Sequence, residues 1–482
     1  MRFFFKIVEK VMNIRKTKII CTIGPASDGV DNLVKLMNAG MDAVRLNFSH
    51  STHDVHLQTI QSVKEASRIA GKPIAILQDL QGPKIRTGKV ENGAIELEDG
   101  KDFIITMEDM EFGNSQRVSS QYKDLISEVK PGCTILLDDG YLILKVKKVE
   151  KKDIHTKIIK GGILKNNKGI VVPGASSLAP SLSEKDLEDL KFGLDAGVDA
   201  VALSFVRTDR DVLELKTAMK IFGRSVPVIA KIERFEAVDN ITSIIMESDA
   251  IMVARGDLGL EMPAELVPMI QKDITKQCNF HGKSVIIATQ MLESMIQNPR
   301  PTRAEASDIA NAVIDGADCV MLSGETSIGK FPFDAVGYMD RIIRVIEEKY
   351  PPKMNPRDEL TTIWDALGKA SCVIAEQINA SAIVAMTSSG YTAKNIAKYR
   401  PKTPIIILTD DEMVQRRMNS FVWGAKAILV PQDINAEETF PQLREFLKNL
   451  DYIGTGDNVV FVAGLSAGNV LIENMIKVIQ VQ

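Results

Sequence analysis

Between residues 15 and 345, short apolar runs rich in β-branched residues alternate with polar turns and longer segments of helical period. That alternation predicts a parallel sheet with crossover helices. Eight strands are expected: KTKIICTIG (16–24), AVRLNFS (43–49), PIAILQDL (73–80), AVALSFV (200–206), VPVIAKIE (226–233), AIMVARGD (250–257), SVIIATQ (284–290) and CVMLSGE (319–325). Eight strand–helix units are what a closed (β/α)8 barrel requires, and in that fold the chemistry sits where the C-terminal ends of the strands meet.

The rhythm breaks after the third strand. Residues 81–176 show alternating apolar and polar positions with Asp-Gly and Gly-Gly turns at short intervals, as in PGCTILLDDGYLILKVKKV. An all-β domain inserted into a βα loop is expected there, placed at the mouth to act as a lid. The charged, Pro-rich stretch EEKYPPKMNPRDEL (347–360) reads as a linker. Residues 361–482 read as a second α/β domain, with strands near SAIVAMTSS, TPIIILTD, AKAILVP and NVVFVAG. Residues 1–14 read as a short leading helix, since Lys6, Glu9 and Lys10 interrupt its apolar patch and no small-residue cleavage site follows. The expected fold is therefore α/β: a barrel over residues 15–80 and 177–346, a β lid over 81–176, and a C-terminal α/β domain.

Composition narrows the class. The chain has 482 residues, 45% hydrophobic and 25% charged, an ordinary mix for a globular protein of two or three domains. A net charge of −4 leaves no basic surplus for a nucleic-acid backbone, so any anion site is local. The five cysteines are scattered without C-x-x-C spacing, which suggests neither a disulfide framework nor a zinc site and fits a cytoplasmic protein. No run of about 18 uncharged apolar residues offers a membrane span.

The segment PVIAKIERFEAV (227–238) ends an apolar strand in Lys231 and Glu233. One charged strand end is ordinary solvated surface. Here nearly every end carries polar groups: Arg45, Asn47 and Ser49, Asp79, Ser204, Lys231 and Glu233, Arg255 and Asp257, Thr289, Ser323 and Glu325. Such a ring is better explained by one polar mouth. Glu233 and Asp257 end adjacent strands and could share a hard divalent cation such as Mg²⁺, which favours few protein ligands. Lys231 lies on the same strand face as Glu233, and the amides around Gly256 add an anion-binding element. In the C-terminal domain, TSSGYTAKNIAKYRP (387–401) is compatible equally with a phosphate cradle and with a plain Ser/Thr-capped turn.

RKTKIICTIGPAS, AVRLNFSH, GPKIRTG, KIE, VARGDLGLE, ATQMLESM, PTRAEASDIANAV and MLSGET together resemble the pyruvate kinase family, in the family's order and along the whole chain. The resemblance implies transfer of the phosphoryl group of phosphoenolpyruvate to ADP, giving pyruvate and ATP. It implies that Glu233 and Asp257 hold Mg²⁺, with Mn²⁺ an alternative, and that Arg45, Lys231, Gly256 and Asp257 bind the phosphate. Lys231 would also stabilise the enolate, and Thr289, with Ser323, Glu325 and a water, would deliver a proton to it. Asn47, His50, Arg86 and Lys168 match nucleotide-contacting positions. A homotetramer is implied as well.

Two departures from the common family pattern carry expectations. K⁺-requiring members bind that ion at positions corresponding to Asn47, Ser49, Asp79 and Leu80; they carry glutamate where this chain has Lys84, and typically Thr-Lys where it has Leu80-Gln81. A tethered ammonium can replace a monovalent cation, so K⁺ is expected not to be required. VAGLSAGNVLIENMIKV lacks the aromatic and arginine that often grip a sugar bisphosphate, so a different phosphorylated effector, or none, is expected in place of fructose 1,6-bisphosphate. The rival readings are a Mg²⁺-dependent lyase or aldolase of a related barrel, which lacks the inserted domain, and a metabolite sensor that has lost catalysis.

Overall fold

The computed structural model describes residues 15–83, 85–175, 179–351, 362–430, 453–467 and 470–481. The expected leading helix, Lys84 and most of the expected linker lie outside them. Strands are numbered along the chain. The first three are β1 (Lys18–Thr22), β2 (Ala43–Asn47) and β3 (Ala75–Asp79). An all-β unit follows: β4 (Ala94–Leu97), β5 (Asp102–Thr106), β6 (Arg117–Ser119), β7 (Thr134–Leu137), β8 (Leu142–Glu150), β9 (Asp153–Lys160), β10 (Gly162–Lys165) and β11 (Ile170–Val171). The chain then returns to β12 (Ala200–Leu203), β13 (Val228–Ile232), β14 (Ala250–Ala254), β15 (Ser284–Ala288) and β16 (Cys319–Leu322). The last five are β17 (Ala382–Met386), β18 (Ile405–Thr409), β19 (Ala425–Leu429), β20 (Asn458–Ala467) and β21 (Val470–Gln480).

β1, β2, β3 and β12 to β16 close into a parallel eight-stranded barrel. A repeated device sets its register. Asp42, Asp199, Asp249 and Asp318 each precede an even-numbered stave of the barrel, in the settings MDAV, VDAV, SDAI and ADCV. Each carboxylate accepts the N–H of a residue on the preceding stave, Ile19, Ile76, Val228 and Val285 respectively, at 2.9 Å. Each also donates its own N–H to that residue's carbonyl at 2.8–3.0 Å. The strand start is thus fastened twice, at the end of the barrel opposite the mouth.

The bore is filled by Ile20, Leu77, Ile229, Met252, Ile286 and Met321 and narrowed by small residues, Ala43, Ala75, Ala200 and Ala250 among them. The space those alanines leave at the bottom is taken by Phe421 of the C-terminal domain. Beside it, the Ser420 hydroxyl donates to Asp42 O at 2.6 Å and accepts from Ala75 N at 2.9 Å. Arg400 completes the joint: it donates to both oxygens of Asp318 at 2.8 and 3.0 Å and lies over the Trp423 ring.

The inserted unit has its own core, built on Phe103, Ile105, Ile135, Leu144 and Ile158. Its strands form a two-stranded sheet (β10-β4) and a six-stranded one (β11-β7-β8-β9-β5-β6). The C-terminal sheet runs β19-β18-β17-β20-β21, parallel except for β21. The helix Pro332–Lys349 carries past the expected start of the linker at residue 347, because Glu347 accepts the N–H groups of Lys16 and Thr17 at 2.8 and 2.7 Å. Among the described residues no helix is long and apolar enough to cross a membrane.

Candidate active site

Several of the polar residues expected at the mouth meet around one carboxylate. Asp79, the last residue of β3, is buried and takes Arg45 Nε at 2.6 Å on one oxygen and Lys231 Nζ at 3.2 Å on the other. Lys231 projects from β13 and also reaches Glu233 Oε1 at 2.9 Å and Ser204 Oγ at 2.7 Å. Arg45 donates through Nη1 to Thr22 Oγ1 at 2.9 Å, while its Nη2 makes no hydrogen bond among the described residues. Ser204 donates in turn to Leu80 O at 2.8 Å.

The charges in this cluster are tuned by each other. Burial works against a charged Lys231, but Asp79 and Glu233 outweigh it and push the ammonium up to about 12. Burial also works to raise Asp79, and Lys231 and Arg45 overcome it, so that carboxyl sits below its usual range. Glu233 goes the other way. Burial pushes its carboxyl up, Lys231 pulls it down, and the like charge of Asp257 raises it again. Its second oxygen accepts the N–H of Phe205 at 2.7 Å, which requires Phe205 to adopt φ +56°.

Asp257 lies in the first turn of the helix Arg255–Glu261 that follows β14, and its carboxylate has no hydrogen-bond or ion-pair partner among the described residues. Two neighbouring carboxylates, one of them unpaired and each opposing the other's charge, form a site that a divalent cation relieves. No set of three or more metal-ligating side chains is present among the described residues. Glu233 and Asp257 are a pair that could hold Mg²⁺, which is commonly bound by one or two carboxylates, with water and substrate oxygens completing its shell.

Three expectations are revised by the geometry. Arg255 does not face the mouth: its guanidinium is turned to Asp308 and to the carbonyl of Thr289, both at 2.7 Å. The Gly256 N–H is not open for an anion but donates to Thr289 Oγ1 at 2.8 Å. Glu325 is fully buried, with its oxygens accepting the N–H groups of Leu292 and Ser323 at 2.9 and 2.7 Å, and burial pushes its carboxyl up. It fastens the segment after Thr289, while the Ser323 hydroxyl beside it is buried without a hydrogen-bond partner among the described residues.

Asn47 and His50 lie where β2 leaves the barrel. Asn47 Oδ1 accepts Ser49 N at 3.1 Å, and His50 O is held by His56 Nε2 at 2.9 Å, with the His56 ring stacked on Phe48. Arg86 and Lys168 belong to the inserted unit. Arg86 donates to Asn167 O at 3.1 Å, and Lys168 pairs with Asp138 at 2.8 Å. Arg86 and Lys168 thus lie together, as the bridge between Arg86 and Gly169 shows, and Asn47 and His50 lie together at the end of β2. Between the inserted unit and the barrel runs a cleft lined by Pro83, Ile85, Asp139, Phe205, Arg234 and Asp257. Its roof is fixed at one edge by Arg234, which donates to Ala175 O at 2.6 Å.

Residues 14–336 match the family model described as "Pyruvate kinase, barrel domain" and residues 365–479 match "Pyruvate kinase, alpha/beta domain". The chain belongs to the pyruvate kinase family. It is 46% identical over 471 residues to a pyruvate kinase of Geobacillus stearothermophilus, covering 96% of this chain and 80% of that one. It is 45% identical to a pyruvate kinase of Corynebacterium glutamicum, covering 96% and 97%. The crystal structure of a pyruvate kinase from Cryptosporidium parvum superposes with a TM-score of 0.89 at 36% identity, covering 98% of each chain. As a pyruvate kinase, the protein is a phosphotransferase that makes pyruvate and ATP from phosphoenolpyruvate and ADP.

Sequence reasoning missed two members of the cluster. Thr22 orients Arg45, and Phe205 supplies an N–H to Glu233. Thr22 is legible as a hydroxyl at the end of the first strand. Phe205 is not, because its contribution comes from backbone in a left-handed conformation.

Proposed function

We infer that the reaction runs at the cluster around Asp79, between the barrel (15–80 and 177–346) and the inserted domain (81–176) acting as its lid. The observation that carries this reading is the pair of cations, Arg45 and Lys231, held a fixed distance apart by one buried carboxylate. With its ammonium pushed up to about 12, Lys231 stays charged throughout the neutral range and serves as a fixed positive charge, not as an acid. Arg45 turns its free Nη2 to the phosphate. Glu233 and Asp257 hold Mg²⁺, or Mn²⁺ in its place, which when bound supplies further neutralisation of the phosphoryl and enolate oxygens.

As the bond between phosphorus and the enol oxygen breaks and the bond to the terminal oxygen of ADP forms, negative charge gathers on that enol oxygen. Lys231 faces it. Little covalent work falls to the protein in such a transfer; positioning and electrostatic stabilisation carry it. The enolate carbon then takes a proton relayed through water by Thr289, near Ser323 and Glu325, and the enolate oxygen becomes the ketone. ADP is bound between barrel and lid, by Asn47 and His50 on the barrel side and Arg86 and Lys168 on the lid side.

A coupled assay of pyruvate formation from phosphoenolpyruvate, run with and without ADP, Mg²⁺ and K⁺, tests the reading. Turnover is expected to require ADP and Mg²⁺; pyruvate released without ADP would point to a lyase. K⁺ is expected to be dispensable because Lys84 supplies the charge. Lys84→Glu should then make the rate rise with added K⁺, and an absolute K⁺ requirement in the unsubstituted enzyme rules this out. We further take the enzyme to be a cytoplasmic homotetramer whose C-terminal domain takes a phosphorylated effector other than fructose 1,6-bisphosphate, or none. Light scattering and activation assays with sugar phosphates address both points.

A further inference from the structure

Thr289 stands just past the end of β15 with φ +69°, and Gln290 follows at φ +55°. A β-branched residue in the left-handed region is an outlier, and it persists only where its surroundings overdetermine it. Here one side chain supplies most of that constraint. Arg255, the first residue after β14, donates through Nη2 to Thr289 O at 2.7 Å and through Nε to Ala288 O at 3.3 Å. The same Nη2 lies 2.9 Å from Met291 Sδ. On its far side Nη1 reaches Asp308 Oδ1 at 2.7 Å and Gln271 Oε1 at 3.4 Å, on the helices Arg303–Asp315 and Val267–His281 that pack outside the barrel.

The Thr289 hydroxyl is held by the same turn. It accepts Gly256 N–H at 2.8 Å and donates to Ala288 O at 2.6 Å, the carbonyl that Arg255 also touches. Only a planar fork of donors can bind two successive carbonyls on one side and a carboxylate on the other; a lysine has a single point of charge.

We propose that Arg255, anchored by Asp308, is the positioning residue for enolate protonation: it fixes the backbone of residues 288–291 and with it the place of the Thr289 hydroxyl. This rests on the reading of Thr289 as the proton-delivery group. In that step a water gives its proton to the enolate carbon, the electron pair of the carbon–carbon double bond forms the new C–H bond, and the enolate oxygen becomes a carbonyl. Thr289 passes a proton to the hydroxide left behind and takes one in turn from solvent water, so that the water and the hydroxyl are both restored and the net proton comes from solvent. Among the described residues Arg255 makes no hydrogen bond or ion pair to Arg45, Asp79, Lys231 or Glu233. Its loss therefore affects protonation more than phosphoenolpyruvate binding.

The test compares Arg255→Gln, Asp308→Asn, Thr289→Ala and the double variant Arg255→Gln/Thr289→Ala. Two quantities are read for each: KM for phosphoenolpyruvate, and the exchange of pyruvate methyl protons with D₂O by NMR, with Mg²⁺ and inorganic phosphate in place of the transferred group. A displacement of about 1 Å at a reacting group costs on the order of 10²-fold, so Arg255→Gln should slow exchange by about that factor. KM should stay within about twofold, as expected when only a step after binding is lost. Asp308→Asn should lie between that variant and the unsubstituted enzyme, and the double variant should be no slower than Thr289→Ala, because the two residues act as one unit. Undiminished exchange in both Arg255→Gln and Asp308→Asn, or full additivity in the double variant, overturns the positioning role. Undiminished exchange in Thr289→Ala overturns the proton-delivery reading itself. Should Arg255→Gln fail to fold, Asp308→Asn, which keeps the arginine, decides the matter alone.

Discussion

Lys231→Met is expected to lower turnover by roughly 10²–10³-fold, the loss that follows removal of one preorganised charge contact to a developing oxyanion. The substitution keeps the length of the side chain and removes the charge. It also strips Asp79 and Glu233 of the cation they share and leaves Ser204 without its partner at 2.7 Å. Breaking a buried ion pair from one side costs about 3–5 kcal/mol, because the remaining charge is left buried and uncompensated. The pH dependence follows from the signs. In the unsubstituted enzyme the Lys231 contribution is complete below the ordinary lysine pKa and is lost only as pH rises through about 12. Without Lys231, the carboxyls of Asp79 and Glu233 rise, and a carboxyl whose folded pKa is raised favours the fold at low pH and loses that advantage as pH increases. Thermal melts of Lys231→Met should therefore fall further below those of the parent at pH 8 than at pH 5. The Mg²⁺ concentration for half-maximal activity should also increase, since Glu233 must lose its proton to bind the ion. Turnover within tenfold of the parent would remove Lys231 from the reaction.

How far the sequence reveals this arrangement differs from residue to residue. Lys231 and Glu233 are legible because strand alternation puts residues two apart on one face, and they do meet, at 2.9 Å. Asp79 is visible only as one polar strand end among many and as one of several groups near a monovalent-cation position. Its place between Arg45 and Lys231 depends on where β3 sits among its neighbours around the barrel, which composition does not encode. Arg255 shows where the strand rule stops. β14 ends at Ala254 and the chain turns at once into a helix, so the alternation that points strand residues into the mouth no longer governs the next side chain. Thr289 is legible as a polar strand end, but its backbone is not: nothing in the letters ATQ announces two consecutive residues at positive φ. By contrast, the aspartates at 42, 199, 249 and 318 are written plainly, each followed by Ala or Cys and then Val or Ile. Their meaning appears only when the carboxylate is seen to bind the N–H of the preceding stave. The final strand, β21, escapes notice because Glu473, Asn474 and Lys477 break its apolar run, as befits a strand at the edge of its sheet.

Phe421→Ala should destabilise the protein by about 3–5 kcal/mol, the range for removing a buried phenylalanine, and the loss should fall at the joint between barrel and C-terminal domain. The alanines at the bottom of the bore make this ring necessary. Ala43, Ala75, Ala200 and Ala250 are too small to close the barrel end themselves, and no rearrangement of strands fastened by the four aspartates can collapse onto the space. Unfolding of a protein with several domains is seldom two-state, so the thiol of Cys319 is the sharper reporter. Cys319 is fully buried in the bore, and its sulfur lies 3.8 and 3.7 Å from the carbonyls of Ser420 and Phe421. Burial pushes that thiol well above its ordinary pKa, so it is inert while the ring is seated. With alanine at 421, water reaches Cys319 through the vacated end, and it should react with a thiol reagent many times faster than in the parent. Phe421→Leu refills part of the space and should restore most of the protection. If instead Arg400 and Asp318 hold the joint by themselves, Phe421→Ala will leave the labelling rate of Cys319 unchanged, and the alanine ring of the bore will need another explanation.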